Sequence, residues 1–142
     1  RMTLAKELGA DLVLGKDDDV VASILAATDG RGVDNSCEFS GAASALSNAI
    51  HSTRMAGYVN ILSVYGSGTP EVPMNEVVFR YLHLKGINGR KMWSTWDTMH
   101  DLLERGLIDV DKVVTHRMGI DDFEQAVQLA MEGNCGKVVL DF

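Results

Sequence analysis

The sequence predicts an α/β fold with parallel strands, and three observations carry that reading. Strand-like apolar runs alternate with stretches of helical period: Val33–Phe39, a helix bearing Leu46, Ala49 and Ile50, then Tyr58–Val64. Such alternation calls for parallel strands joined by right-handed crossovers. Each run ends in small residues, Ser40–Gly41 after the first, Ser63–Val64 closing the second, and Gly86 and Gly89 around Leu82–Ile87. Finally, the pattern changes between about residues 88 and 93, from strand–helix units to helix, strand, helix, strand with different spacing. The stretch Leu82–Lys91 is therefore both a last strand and a hinge, with the domain boundary inside it.

Taken in order, the elements are justified as follows. Leu4, Ala5 and Leu8 fall on one helical face, closed by Gly9. This pattern begins immediately after Arg1 and Met2, which is expected of a piece cut from a longer chain. Leu12–Leu14 reads as a short buried strand. Asp17 or Asp18 is placed to cap a helix whose inward stripe is Val20, Val21, Ile24 and Leu25, closed by Gly30 and Gly32. After Val33–Phe39 comes the helix with Leu46, Ala49 and Ile50, with Gly57 past its end. Tyr58–Val64 follows and runs into the loop SVYGSGTP. Asn75–Phe79 reads as a short helix leading to the Leu82–Ile87 strand.

Beyond the hinge, Met99, Leu102 and Leu103 are expected to face inward on a helix stopped by Gly106. Val113–Val114 starts a strand ending near His116. Asp121 or Asp122 caps a helix with Phe123, Ala126, Val127 and Ala130, closed by Gly133, and Lys137–Leu140 is the final strand. No internal repeat or low-complexity segment interrupts this order.

Composition narrows the function classes. In 142 residues, 13 basic against 20 acidic side chains give a net charge of −7, with no Lys or Arg cluster of the kind a phosphate backbone requires. No apolar run approaches the roughly 20 residues of a membrane span. Cys37 and Cys135 are far apart and lack metal-ligand spacing, as expected of two reduced, packed cysteines in a cytoplasmic protein. His51, His83, His100 and His116 are scattered, and none has a Cys, Asp or Glu at ligand spacing. No nucleophile elbow and no phosphate-cradling lysine loop is present. Ser40–Gly41 and Ser63–Val64, by contrast, lie at carboxyl ends of parallel strands, where open α/β sheets receive ligands. Small residues there serve tight turns as readily as ligands, and spacing alone leaves both open.

Longer words in the sequence add to this. RMTLAKELGAD, GVDNSCEFSG, GYVNIL, LHLKGINGRKMWSTW and VVTHRMGIDDFEQAVQLAMEGNCGKVVLDF together resemble, from end to end, the C-terminal part of the medium-chain zinc-type alcohol dehydrogenases, most closely the threonine-dehydrogenase branch. The words GINGRKMWSTW and THRM…DDFEQA are fairly specific, whereas GAD and SG are common to the superfamily. The resemblance implies an incomplete Rossmann-like doubly wound parallel sheet, residues 1–88, followed by a C-terminal segment, residues 89–142, that returns to the GroES-like catalytic domain.

The resemblance also implies an activity: hydride transfer from a secondary alcohol to NAD, with zinc polarising the alkoxide. It assigns cofactor contacts to Arg1 near the adenosine, to Leu62, Ser63 and Val64 and to Ile87 and Asn88 on the nicotinamide side, and to Lys137 near the pyrophosphate. The branch more often has glycine at the position of Ser63 and an aromatic at that of Asn88. The family's Gly-rich βα turn, its ribose-binding acid and its zinc ligands have no counterpart in this sequence. The isolated chain is therefore expected to bind no zinc, to take NAD weakly at best and to be catalytically inactive. A non-catalytic α/β interaction module derived from the family and a piece of a sorbitol-type polyol dehydrogenase are the alternatives.

A strand order of 3-2-1-4-5-6 would leave this chain with strands 3, 4, 5 and 6. Its Val33–Phe39 strand would then expose a long apolar edge. The resemblance implies a homo-oligomer through the opposite edge, Leu82–Ile87, with Leu12–Leu14 paired directly on Val33–Phe39 or an element exchanged between copies.

Overall fold

A computed structural model describes residues 1–66 and 68–142, so Ser67 of the expected SVYGSGTP loop lies outside the described residues. In chain order the elements are α1 (Met2–Glu7), α2 (Val20–Ala27), β1 (Val33–Glu38), α3 (Ala43–Ser52), β2 (Thr53–Ile61), α4 (Met74–Phe79), β3 (His83–Gly86), α5 (Ser94–Glu104), β4 (Val114–Gly119), a 3₁₀ turn (Ile120–Asp122), α6 (Phe123–Glu132) and β5 (Lys137–Asp141). The chain forms two compact units, Asp17–Arg90 in one and Arg1–Lys16 with Lys91–Phe142 in the other. Residues 1–16 thus cluster with Lys91–Phe142.

The Asp17–Arg90 unit holds a three-stranded parallel sheet in the order β1-β2-β3. Leu46 and Ile50 of α3 meet Val59 of β2 and Leu82 before β3 to make its core. Ala49, Ile61, Tyr65, Val72, Val77 and Leu84 pack around them. Asp19, rather than Asp17 or Asp18, caps α2: its Oδ1 accepts the Ala22 amide at 3.0 Å, the third amide of the helix, which is the one a cap side chain reaches.

Four expectations are corrected here. Leu12–Leu14 forms no strand; a three-residue apolar run makes no ladder without a neighbour, and Leu12 stays half exposed. It therefore does not pair on β1. The edge that β1 offers is not apolar either, since its residues are Val-Asp-Asn-Ser-Cys-Glu with Asp34, Asn35 and Cys37 exposed. Exposed Cys37 also departs from the expected pair of packed cysteines, whereas Cys135 is buried. Fourth, β2 covers Thr53–Ile61 rather than Tyr58–Val64. It starts early through an irregular register between Val33/Thr53 and Asn35/Tyr58, where Ala56 takes a positive φ of 54°. It ends early because Leu62–Tyr65 turn towards the end of β1.

In the other unit β4 and β5 form a two-stranded parallel sheet. α6 lies against it and ends at Gly133, whose φ of 73° lets the last turn close through Gly133 N to Ala130 O and Asn134 N to Leu129 O. Ala126 is the buried residue of α6, while Phe123 and Val127 are exposed. On α5 the expected inward stripe is not covered: Met99 and Leu103 are exposed and Leu102 is half-buried. No helix of the described residues is long and apolar enough to cross a membrane.

Candidate functional site

The carboxyl ends of β1, β2 and β3 lie side by side, since the strands are parallel and neighbours in the sheet. The ladder continues past the strands: the Leu62 amide donates to the Glu38 carbonyl at 3.0 Å and the Ile87 amide to the Ile61 carbonyl at 2.9 Å. Leu62, Ser63, Val64, Ile87 and Asn88 are thereby gathered at one end of one sheet. This is where open parallel sheets expose backbone and short side chains to a ligand. Val64 is 89% exposed and Leu62 39%, so two apolar side chains face outward next to half-buried Ile87 and exposed Asn88.

Glu38, the last residue of β1, organises this end. It is only 2% exposed, yet every donor around it is accounted for. Its Oε1 accepts the Ser40 amide at 2.7 Å, the Ser40 hydroxyl at 2.6 Å and the Gly41 amide at 3.0 Å. Its Oε2 accepts the hydroxyls of Ser63 and, at 3.0 Å, Tyr65. Burial pushes the carboxyl up. The hydrogen bonds from Ser40, Ser63 and Tyr65 more than reverse that, bringing it from an ordinary 4.5 down to about 2, because charge-assisted bonds favour the ionised form. Tyr65 moves the other way: burial raises its phenol above the ordinary value, and the neighbouring Glu38 carboxylate adds to the rise.

Backbone presses on backbone at the same place. Gly41 has a φ of +73°, and a Cβ there would stand 2.7 Å from the Val64 carbonyl oxygen. Only glycine meets both demands.

Arg1 and Lys137 belong to the other compact unit. Arg1 Nε donates to the Cys135 carbonyl at 3.0 Å, and its guanidinium lies against Gly133 at the end of α6. Lys137 opens β5, its amide donating to the Val113 carbonyl at 2.7 Å, with its side chain exposed.

The histidines are committed separately. His51 Nδ1 bonds the Ser47 carbonyl, His83 stacks on Tyr58 with ring centroids 4.5 Å apart, His100 faces Glu104, and His116 meets Thr115. Among the described residues no three His, Cys, Asp or Glu side chains converge as a metal ion requires.

Sequence reasoning found Ser40–Gly41 and Ser63–Val64 but not Glu38 or Tyr65. The signal available was a lone carboxylate closing a strand directly before Ser-Gly.

A family model described as zinc-binding dehydrogenase matches residues 1–105. The L-threonine 3-dehydrogenase of Pyrococcus horikoshii is 40% identical over 141 residues, covering 98% of this chain and 40% of that protein. The L-threonine 3-dehydrogenase of Bacillus velezensis is 39% identical, with 99% and 41% covered. Among solved structures, 2R,3R-butanediol dehydrogenase from Bacillus subtilis superimposes with a TM-score of 0.84 at 34% identity, covering 99% of this chain and 40% of that one. Benzyl alcohol dehydrogenase from Acinetobacter calcoaceticus gives 0.86 at 22% identity, covering 98% and 39%, a likeness of fold alone. The chain thus spans about 40% of the length of the curated relatives it matches.

Proposed function

The chain belongs to the zinc-binding dehydrogenase family, and from that premise we propose that it is the C-terminal part of an NAD-dependent alcohol or threonine dehydrogenase. Residues 1–88 would then be the second part of the nucleotide-binding domain, and residues 89–142 the segment that joins the catalytic domain. The observation that supports this best is the strand-end cluster, Leu62, Ser63, Val64, Ile87 and Asn88, on one end of a parallel sheet. Its exposed apolar side chains and close-packed backbone suit one face of a flat, amide-bearing ring such as nicotinamide. When bound, NAD supplies the hydride acceptor for the alcohol carbon. On the chain's side, Val64 and Leu62 would shield the ring from water, and Ile87 and Asn88 would bound it from the neighbouring strand.

Zinc does not fit the described residues, because the donor set that would hold it is not gathered anywhere among them. In this reading the metal belongs to the part of the relatives that this chain does not span, and so do most substrate contacts. A small secondary alcohol is the proposed substrate class, the proposed compartment is the cytoplasm, consistent with two free cysteines, and the proposed assembly is a homo-oligomer through the Leu82–Ile87 edge.

Two measurements test this. The full gene product carrying the sequence is expected to reduce NAD with threonine or another secondary alcohol, read as NADH absorbance; no turnover with any such alcohol would refute the proposal. The 142-residue chain alone is expected to give no turnover and no saturable heat on calorimetric titration with NAD at micromolar concentrations. Tight binding by the isolated chain would show that the cofactor site is complete within it.

A further inference from the structure

We propose that Glu38 is the positioning residue of the strand-end site, and that the Ser63 side chain influences a bound dinucleotide only through it. This rests on the cofactor reading above and adds a named device to it. The buried carboxylate bridges two loops distant in sequence. One oxygen collects three donors from the turn after its own strand, the Ser40 amide and hydroxyl and the Gly41 amide. The other collects the hydroxyls of Ser63 and Tyr65, 25 and 27 positions further on. The Glu38 main chain holds the same loop, its carbonyl accepting the Leu62 amide. Gly41 against the Val64 carbonyl completes the contact.

The chemistry of this clasp is one-sided. All five groups donate, and an ionised carboxylate only accepts, so the match needs a residue with two accepting oxygens. An amide of the same shape has one oxygen and one NH2. Whichever way it is turned, donors at one end would face a donor, and a buried unpaired donor is costly. Ser63 has its hydroxyl spent on Glu38, which leaves Val64 and Leu62 as the side chains the loop presents outward. The height of the loop at the sheet end, and with it the placement of those two side chains, is thus set by Glu38.

A double-mutant cycle on NAD affinity in the full gene product separates this from direct contact by Ser63. Glu38→Gln and Ser63→Ala are each expected to weaken NAD binding, by about tenfold if one charge-assisted hydrogen bond is lost. The double variant should be no weaker than Glu38→Gln alone, because the two changes break one clasp. Ser63→Thr, which keeps the hydroxyl, should restore affinity. In all clasp-breaking variants, hydrogen exchange followed by mass spectrometry should rise in peptides spanning residues 62–66 and 39–42. Multiplying effects in the double variant would overturn the proposal and make Ser63 a direct contact. Should Glu38→Gln not fold, the Ser63→Ala and Tyr65→Phe pair replaces it, since both donors share one oxygen and must likewise be non-additive. If the unmodified protein takes no NAD, the dehydrogenase reading fails and the positioning role with it. Unchanged exchange in the variants is the separate sign that the clasp itself is wrong.

Discussion

Glu38 holds a negative charge almost out of reach of solvent, and its stability comes from five donors rather than from a counter-ion. Its carboxyl is ordinary at 4.5 when the chain is unfolded and falls to about 2 when folded. A folded-state value depressed in this way stabilises the fold above pH 4.5, and the contribution is lost as pH drops from there towards 2. Glu38→Gln is expected to destabilise the protein at pH 7 by about 1–3 kcal/mol. It should also flatten the loss of stability between pH 5 and pH 3 in urea titrations; an acid limb as steep as in the unmodified protein would contradict this. Gly41→Ala should cost about 1–3 kcal/mol in the same titrations, since it forces a side chain into positive φ and against the Val64 carbonyl. Ser63 was legible as a strand-end residue because small residues recur where parallel strands stop. Glu38 was not, because a carboxylate at a strand terminus normally faces water, and its burial depends on hydroxyls that only the fold brings near.

At the level of elements, the end of α3 is closed by a residue from a different helix. Arg80, following α4, donates to the carbonyls of Ile50 and His51, each at 3.3 Å, and of Thr53. Its own carbonyl accepts the Ala56 amide at 2.8 Å. A guanidinium is well suited to several terminal carbonyls at once, and its charge complements the negative end of the helix. Arg80→Ala is expected to lower stability by about 1–3 kcal/mol by thermal or urea unfolding, and Arg80→Lys should recover little, because an ammonium cannot span three carbonyls. Equal stability of the Lys variant would show that charge alone suffices. Most elements were legible from apolar spacing and closing glycines: β1, α3, α4, β3, α6 and β5 lie within a residue or two of where the pattern puts them. The start of β2 was hidden because Thr53–Ala56 carries no strand pattern and depends on a positive φ at Ala56. Leu12–Leu14 failed as a strand because pairing is a property of two segments, and only one was read. The apolar stripe of α5 was read correctly as a pattern, but a stripe does not say what covers it.

For the molecule as a whole, two compact units, each with its own parallel sheet, share one chain. Nothing in the spacing of residues 1–16 points to the segment they cluster with. The proposed assembly through β3 has a direct test. Because the Ile87 amide points inward to Ile61, alternation along the strand turns the Gly86 amide outward, where a neighbouring copy would take it up. Gly86→Pro removes that donor on an edge that tolerates proline. It should convert a dimer into a monomer in sedimentation velocity with unchanged circular dichroism; a variant that stays dimeric would place the interface elsewhere. The opposite edge behaves differently. β1 carries Asp34 outward, drawn by Arg54 and Arg31 into a knot of three charged side chains. Copies stacked on that strand would sit about 4.8 Å apart, bringing those knots into register with one another. Charge repeated at that spacing would oppose edge-to-edge growth, so the 142-residue chain should show no rise in light scattering on concentration, and a rise would contradict this.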